Sequence, residues 1–124
     1  MANINLKLLI NNTIEIVLAE QQYRIVAGEQ NTTQFVLERP TGYDDWSFSY
    51  EMVNSQGNGF QETTITNNKF FFPTSMAVPG YCDIIIRARK DGVVKVWVPI
   101  HLKVWEGLPS WGKAAQSLEL QQKK

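Results

Sequence analysis

Acid–base chemistry in this chain would have to begin with His101, its single imidazole. His101 lies in VVKVWVPIHLKVW (residues 93–105). Read as one alternating strand, this stretch sends Val94, Val96, Val98, Ile100, Leu102 and Val104 inward. Lys95, Trp97, Pro99, His101, Lys103 and Trp105 then point outward. General acid–base or nucleophilic catalysis needs a second, oriented group beside the imidazole. The neighbouring outward residues of that strand offer no carboxylate, so His101 reads as a solvent-facing strand histidine. Asp44 and Asp45 form the one acidic pair. Adjacent aspartates suit a turn, whereas a calcium loop needs a longer alternation of oxygen ligands. Cys82 is alone, which excludes an intrachain disulfide and a thiolate metal cluster within one chain. Its phase sends it inward as a small hydrophobe. The glycines of QGNGF lack the strand-to-helix setting in which a loop cradles phosphate. The expectation is a non-enzymatic protein with no catalytic residues, no metal ligands and no cofactor.

Period-two alternation dominates the elements around these residues. INLKLLI alternates Ile4, Leu6, Leu8 and Ile10 and runs into Asn11–Asn12, a tight-turn signal, after which TIEIVLA resumes as a strand. YRIVA and TQFVLE are divided by the turn-forming GEQNT, and Pro40 and Gly42 mark a loop. WSFSYEMV places Trp46, Phe48, Tyr50 and Met52 on the core face and Ser47, Ser49 and Glu51 on the other. FQETTI is polar and reads as an edge strand, and KFFFP as a short aromatic one. YCDIIIRAR sends Cys82, Ile84, Ile86 and Ala88 inward and Tyr81, Asp83, Ile85, Arg87 and Arg89 outward. Asp91–Gly92 is the strongest hairpin signal in the chain. Short strands at this spacing, with almost no helical periodicity, predict an all-β, antiparallel β-sandwich. The organisation expected is a β-hairpin over residues 1–22, a sandwich over 23–107 and a tail over 108–124. Ala114, Ala115, Leu118 and Leu120 make helix a possible state of that tail, with few apolar anchors to hold it.

A chain of 124 residues with 44% hydrophobic content can bury a single core without staples. Lys+Arg and Asp+Glu balance at 12 each, so no general attraction to nucleic acid or to an anionic membrane is expected. No apolar run suits a signal sequence or a transmembrane helix. The sequons at Asn11 and Asn31 read as turn chemistry.

What remains is surface. Trp97 and Trp105 are expected outward, with Tyr81 and Ile85 beside them across the hairpin, and such an apolar face has to be covered. The hairpin or tail of the same chain would make it intramolecular, and a neighbouring subunit would make it an interface built on Trp97, Trp105, Ile85, Tyr81 and Pro99. Pro99 fits an edge strand, where a missing N–H breaks no ladder. A third use is carbohydrate binding, with Trp97, Trp105, Tyr43 or Trp111 stacking on sugar rings.

The order of residues over roughly 23–107 resembles the immunoglobulin-like amino-terminal domain of phage baseplate upper proteins and tail-fibre proteins, from phages of Gram-positive bacteria. The likeness rests on a Gly-acidic-x-Asn-Thr turn (Gly28, Glu29, Asn31, Thr32) entering the strand of Phe35 and Leu37. It continues with the Phe72–Pro73 step, Gly80–Tyr81 opening a long strand, and the Asp91–Gly92 hairpin. Glu29 stands where the family's turn usually carries Asp. The resemblance implies an immunoglobulin-like sandwich acting as a structural adaptor in a virion tail or baseplate. Its partners would be other tail proteins or further copies of itself, and host recognition would lie in other domains.

Overall fold

The computed structural model describes residues 2–18 and 24–106, and these fold into two mixed β-sheets packed face to face. The strands are β1 (Ala2–Leu8), β2 (Ile14–Leu18), β3 (Ile25–Val26), β4 (Thr33–Glu38), β5 (Ser47–Asn54), β6 (Gly59–Thr64), β7 (Lys69–Phe71), β8 (Gly80–Lys90), β9 (Val93–Val96) and β10 (Ile100–Trp105). One sheet has the order β2-β1-β4-β7. The other runs β3-β10-β8-β5-β6, and β9 pairs with β8 alongside β10.

The all-β sandwich expected from the alternation is present, but it is not purely antiparallel. β1 runs parallel to β4, with Ile4 opposite Phe35, and β10 runs parallel to the two-residue β3. Parallel neighbours require a crossover between sheets, which local periodicity does not encode. The amino-terminal hairpin is therefore built into the sandwich: Ile4, Leu6 and Leu8 lie in the core against the other strands. The expected tail over 108–124, its possible helix and Trp111 fall outside the described residues.

The core contains the alternating set read from β8, with Cys82, Ile84, Ile86 and Ala88 all fully buried, and Phe48, Tyr50 and Met52 from β5. Phe60, Tyr50, Phe70 and Phe35 stack in a column across the sandwich, their centroids 5.7, 4.1 and 5.0 Å apart. β6 is an edge strand, as its polar sequence suggests. Asn31 takes φ 57° and Asn12 φ 70°, the left-handed conformations that asparagine tolerates in turns.

Three expected orientations are overturned. Ile10 is not inward; it sits in the turn that ends β1 and is 70% exposed. Ser49, expected on the solvent face, is only 7% exposed, because charged side chains cover it. The largest correction is in residues 93–98. Val94, Val96 and Val98 are exposed, and Trp97 is completely buried.

The cause is an irregularity at Pro99. Val96 faces Arg87 and Ile100 faces Ile84, so four steps along one strand span three along β8. One extra residue exchanges the faces of everything on one side of it. Ile100 and Val104 are therefore buried as expected, while the alternation before the bulge is the reverse of that expected.

Candidate interaction surface

Two tryptophans were expected to share one outer face, and the structure separates them. Trp97 belongs to the interior. The Asp91–Gly92 turn, at φ 50° and 79°, joins β8 to β9 and fixes their register. That register brings Trp97 N–H to Ile86 C=O at 3.1 Å, on the inward phase of β8. The ring packs 5.8 Å from Phe48 and edge-on to Tyr43 at 6.1 Å.

The turn between β1 and β2 covers Trp97. Its indole Nε1–H donates to Leu9 C=O at 2.9 Å, so the buried polar atom is satisfied. Asn12 then acts as a clasp on the bulge: its Nδ2 donates to Val96 C=O at 2.8 Å, and its own C=O accepts from Val98 N–H at 2.7 Å. Lys95, on the inward side of β9, donates to Asn12 Oδ1 at 2.8 Å and to Ile10 C=O at 3.2 Å. Its ammonium also lies 5.3 Å from the Trp97 ring centroid. Trp97 is thus removed from the expected interface, and within this chain the amino-terminal hairpin covers it.

Trp105 is on the outer face of the other half of this strand and is 38% exposed. Arg24 and Lys103 place cations 4.5 and 3.8 Å from its ring centroid. Tyr81, 44% exposed, stacks on His101 at 4.4 Å. Together these residues make a contiguous aromatic and cationic surface on β8, β10 and the start of β3. Ile85 lies farther along the outer face of β8 and is half-buried, whereas Pro99 is exposed at the bulge. The five residues expected at an interface therefore do not form one patch: Tyr81 and Trp105 do, Ile85 and Pro99 flank it, and Trp97 is elsewhere.

His101 has the carboxylate that its own strand lacked. β10 pairs antiparallel with β8 so that His101 is directly opposite Asp83, and Nδ1 lies 2.6 Å from Asp83 Oδ1. Both side chains are exposed. Asp83 can orient the ring, yet among the described residues no hydroxyl or thiol is hydrogen-bonded to it. Strand-by-strand reading missed the pair because the partner is 18 residues away across the sheet.

The remaining chemistry is structural. Burial, then the neighbouring Asp83 charge, pushes the Cys82 thiol up to about 11, so the thiolate that would react is scarce. On the outer face of β5, β6 and β8, Arg87 pairs with Glu51 at 2.6 Å and with Glu62 at 3.4 Å. Arg89 also pairs with Glu62, and Ser49 Oγ donates to Glu62 at 2.6 Å. The Arg89 hydrogen bond, followed by that from Ser49, lowers Glu62 from an ordinary value of 4.5 to about 2. Lys90 pairs with Asp45 and lowers it in the same way, which gives one member of the Asp44–Asp45 pair a structural partner. Among the described residues no group of three or more His, Cys, Asp or Glu could hold a metal ion, and no helix is long and apolar enough to cross a membrane.

Comparison with protein-family models, with curated proteins and with solved structures finds no match to this chain.

Proposed function

We propose that the protein is a non-enzymatic assembly domain, an immunoglobulin-like adaptor associated with a phage tail or baseplate, which contacts neighbouring subunits in the virion. The observation that carries this reading is the exposed surface of Tyr81, Trp105, Arg24 and Lys103. Tryptophan, tyrosine and arginine are the residues most often found at interface hot spots. Tyr81, Lys103 and Trp105 are also presented on strands rather than on loops. The resemblance over residues 23–107 adds the phage setting and the adaptor role.

Carbohydrate binding is the weaker use of the same rings. Stacking a sugar needs a bare aromatic face, whereas Trp105 has two cations over its ring, Tyr81 has His101, and Tyr43 packs against Trp46 at 4.7 Å. The test is sedimentation velocity with thermal melting on the protein and on a Tyr81→Ser/Trp105→Ser variant. The adaptor reading expects weaker assembly and a near-native melt. Unchanged mass together with lost retention on a polysaccharide column would replace it with the carbohydrate reading. A turnover activity abolished by His101→Ala would overturn the non-enzymatic assignment.

A further inference from the structure

β9 is one of the strands with an open sheet edge, and its edge is bounded by a clasp from the other sheet. Among the described residues no strand pairs with it on the side away from β8. Trp97 N–H points to β8, so by antiparallel alternation the backbone groups of Val94 and Val96 point the other way. Asn12 occupies Val96 C=O and Val98 N–H. Val94 N–H, Val94 C=O and Val96 N–H meet no partner among the described residues.

The side chains around this edge are apolar. Val93, Val94, Val96 and Val98 are exposed, and Ile10 projects from the adjoining turn. The charged side chains beside them balance: Arg87 pairs with Glu51, Arg89 with Glu62 and Lys90 with Asp45, while Lys95, held by Asn12 Oδ1 and Ile10 C=O, and Asp91 in the adjoining turn carry opposite charges. An edge of this kind favours neither an acidic nor a basic partner. It takes an extended strand with β-branched residues, and β9 is itself such a strand.

We infer that β9 is a self-association edge, at which a second copy of this chain adds its own β9 antiparallel about a two-fold axis near Val94. A two-fold pairing there is self-complementary: Val94 N–H and C=O meet Val94 C=O and N–H of the second copy. Valine then packs against valine across the junction. Asn12 sets the length of the edge, because the groups it caps are unavailable to a partner. The inference rests on the assembly reading only for its purpose, since the edge is distinct from the Tyr81–Trp105 surface.

Two variants test it. Val94→Pro removes an N–H that no intrachain ladder uses, and Val94→Glu keeps the backbone but introduces charge at the two-fold. In sedimentation velocity over a concentration series, the wild-type protein is expected to dimerise. Each variant should weaken dimerisation by about tenfold or more, with an unchanged melt for Val94→Glu. A wild-type protein that stays monomeric to about 100 µM overturns the inference. So does an assembly that both variants leave intact. If that assembly instead yields to Tyr81→Ser/Trp105→Ser, the adaptor reading stands and the edge does not. If only the Val94 variants dissolve it, the edge stands and the Tyr81–Trp105 surface loses its role in self-association.

Discussion

Trp97 and Trp105 lie on the same hairpin arm, and a single extra residue between them gives them opposite environments. Trp97 is locked under a turn from the other sheet, with its ring, its N–H and the backbone on either side all engaged. Trp105 lies on the outer face with only flexible cationic side chains over it. Residue type and distance along the chain are the same kind of signal for both. The difference comes from register, which decides whether a tryptophan supports folding or is left for a partner.

The largest expected effect would break this comparison if it failed. Trp97→Ala should cost about 3–5 kcal/mol in chemical denaturation, the usual range for a buried aromatic. A cost below about 1 kcal/mol would mean that the clasped corner collapses without loss and that the two tryptophans are equivalent.

Asn12 tests the clasp itself. Asn12→Ala loses the bond to Val96 C=O and strains the left-handed backbone, and is expected to cost about 2–3 kcal/mol. Asn12→Gly keeps the backbone conformation and should lose only about 1 kcal/mol. Equal costs for the two would place the whole effect in the side-chain bond.

The Glu62 network sharpens the contrast through pH. Glu62 is held near 2 against an ordinary 4.5, so between those values the unfolded chain binds the proton and the folded chain does not. Its contribution is complete above about pH 4.5 and is lost as pH falls through about 2. Acid titration of the melting temperature should therefore be shallower for Glu62→Gln in that window, and high salt should narrow the difference. The Ser49 hydroxyl belongs to this network, so Ser49→Ala should cost about 1 kcal/mol rather than nothing.

The smallest effect on stability belongs to Trp105. Trp105→Ser should change unfolding free energy by no more than about 1 kcal/mol, while altering association. A cost like that of Trp97 would show that the outer face is intramolecular core.

Much of this is legible in the amino-acid sequence. Cys82, Ile84, Ile86 and Ala88 are the buried side of β8, and the Asp91–Gly92 turn is where it was expected. Those two readings together already constrain Trp97. A two-residue turn carried back along β8 sets Trp97 against Ile86, which is inward. Treating residues 93–105 as one uninterrupted strand overrode that constraint, although Pro99 marked the place for a bulge. The His101–Asp83 pair was hidden by the same step, because only the shifted register sets those two residues opposite each other. The parallel pairings of β1 with β4 and of β10 with β3 are different in kind. They depend on which sheet edge each strand reaches, and no local pattern carries that.

The clasp also fixes an order of events in making the protein. The bond from Trp97 to Leu9 joins residues 88 apart, and that from Asn12 to Val96 joins residues 84 apart. During synthesis at about 5–20 residues per second, the first hairpin waits on the order of ten seconds for the strand that completes its corner. A two-stranded hairpin is barely stable by itself; β4 joins β1 about thirty residues later, but the turn of Leu9 and Asn12 waits the whole interval for Trp97 and Val96. The corner that joins the two sheets is thus closed late, after β1 has already met β4.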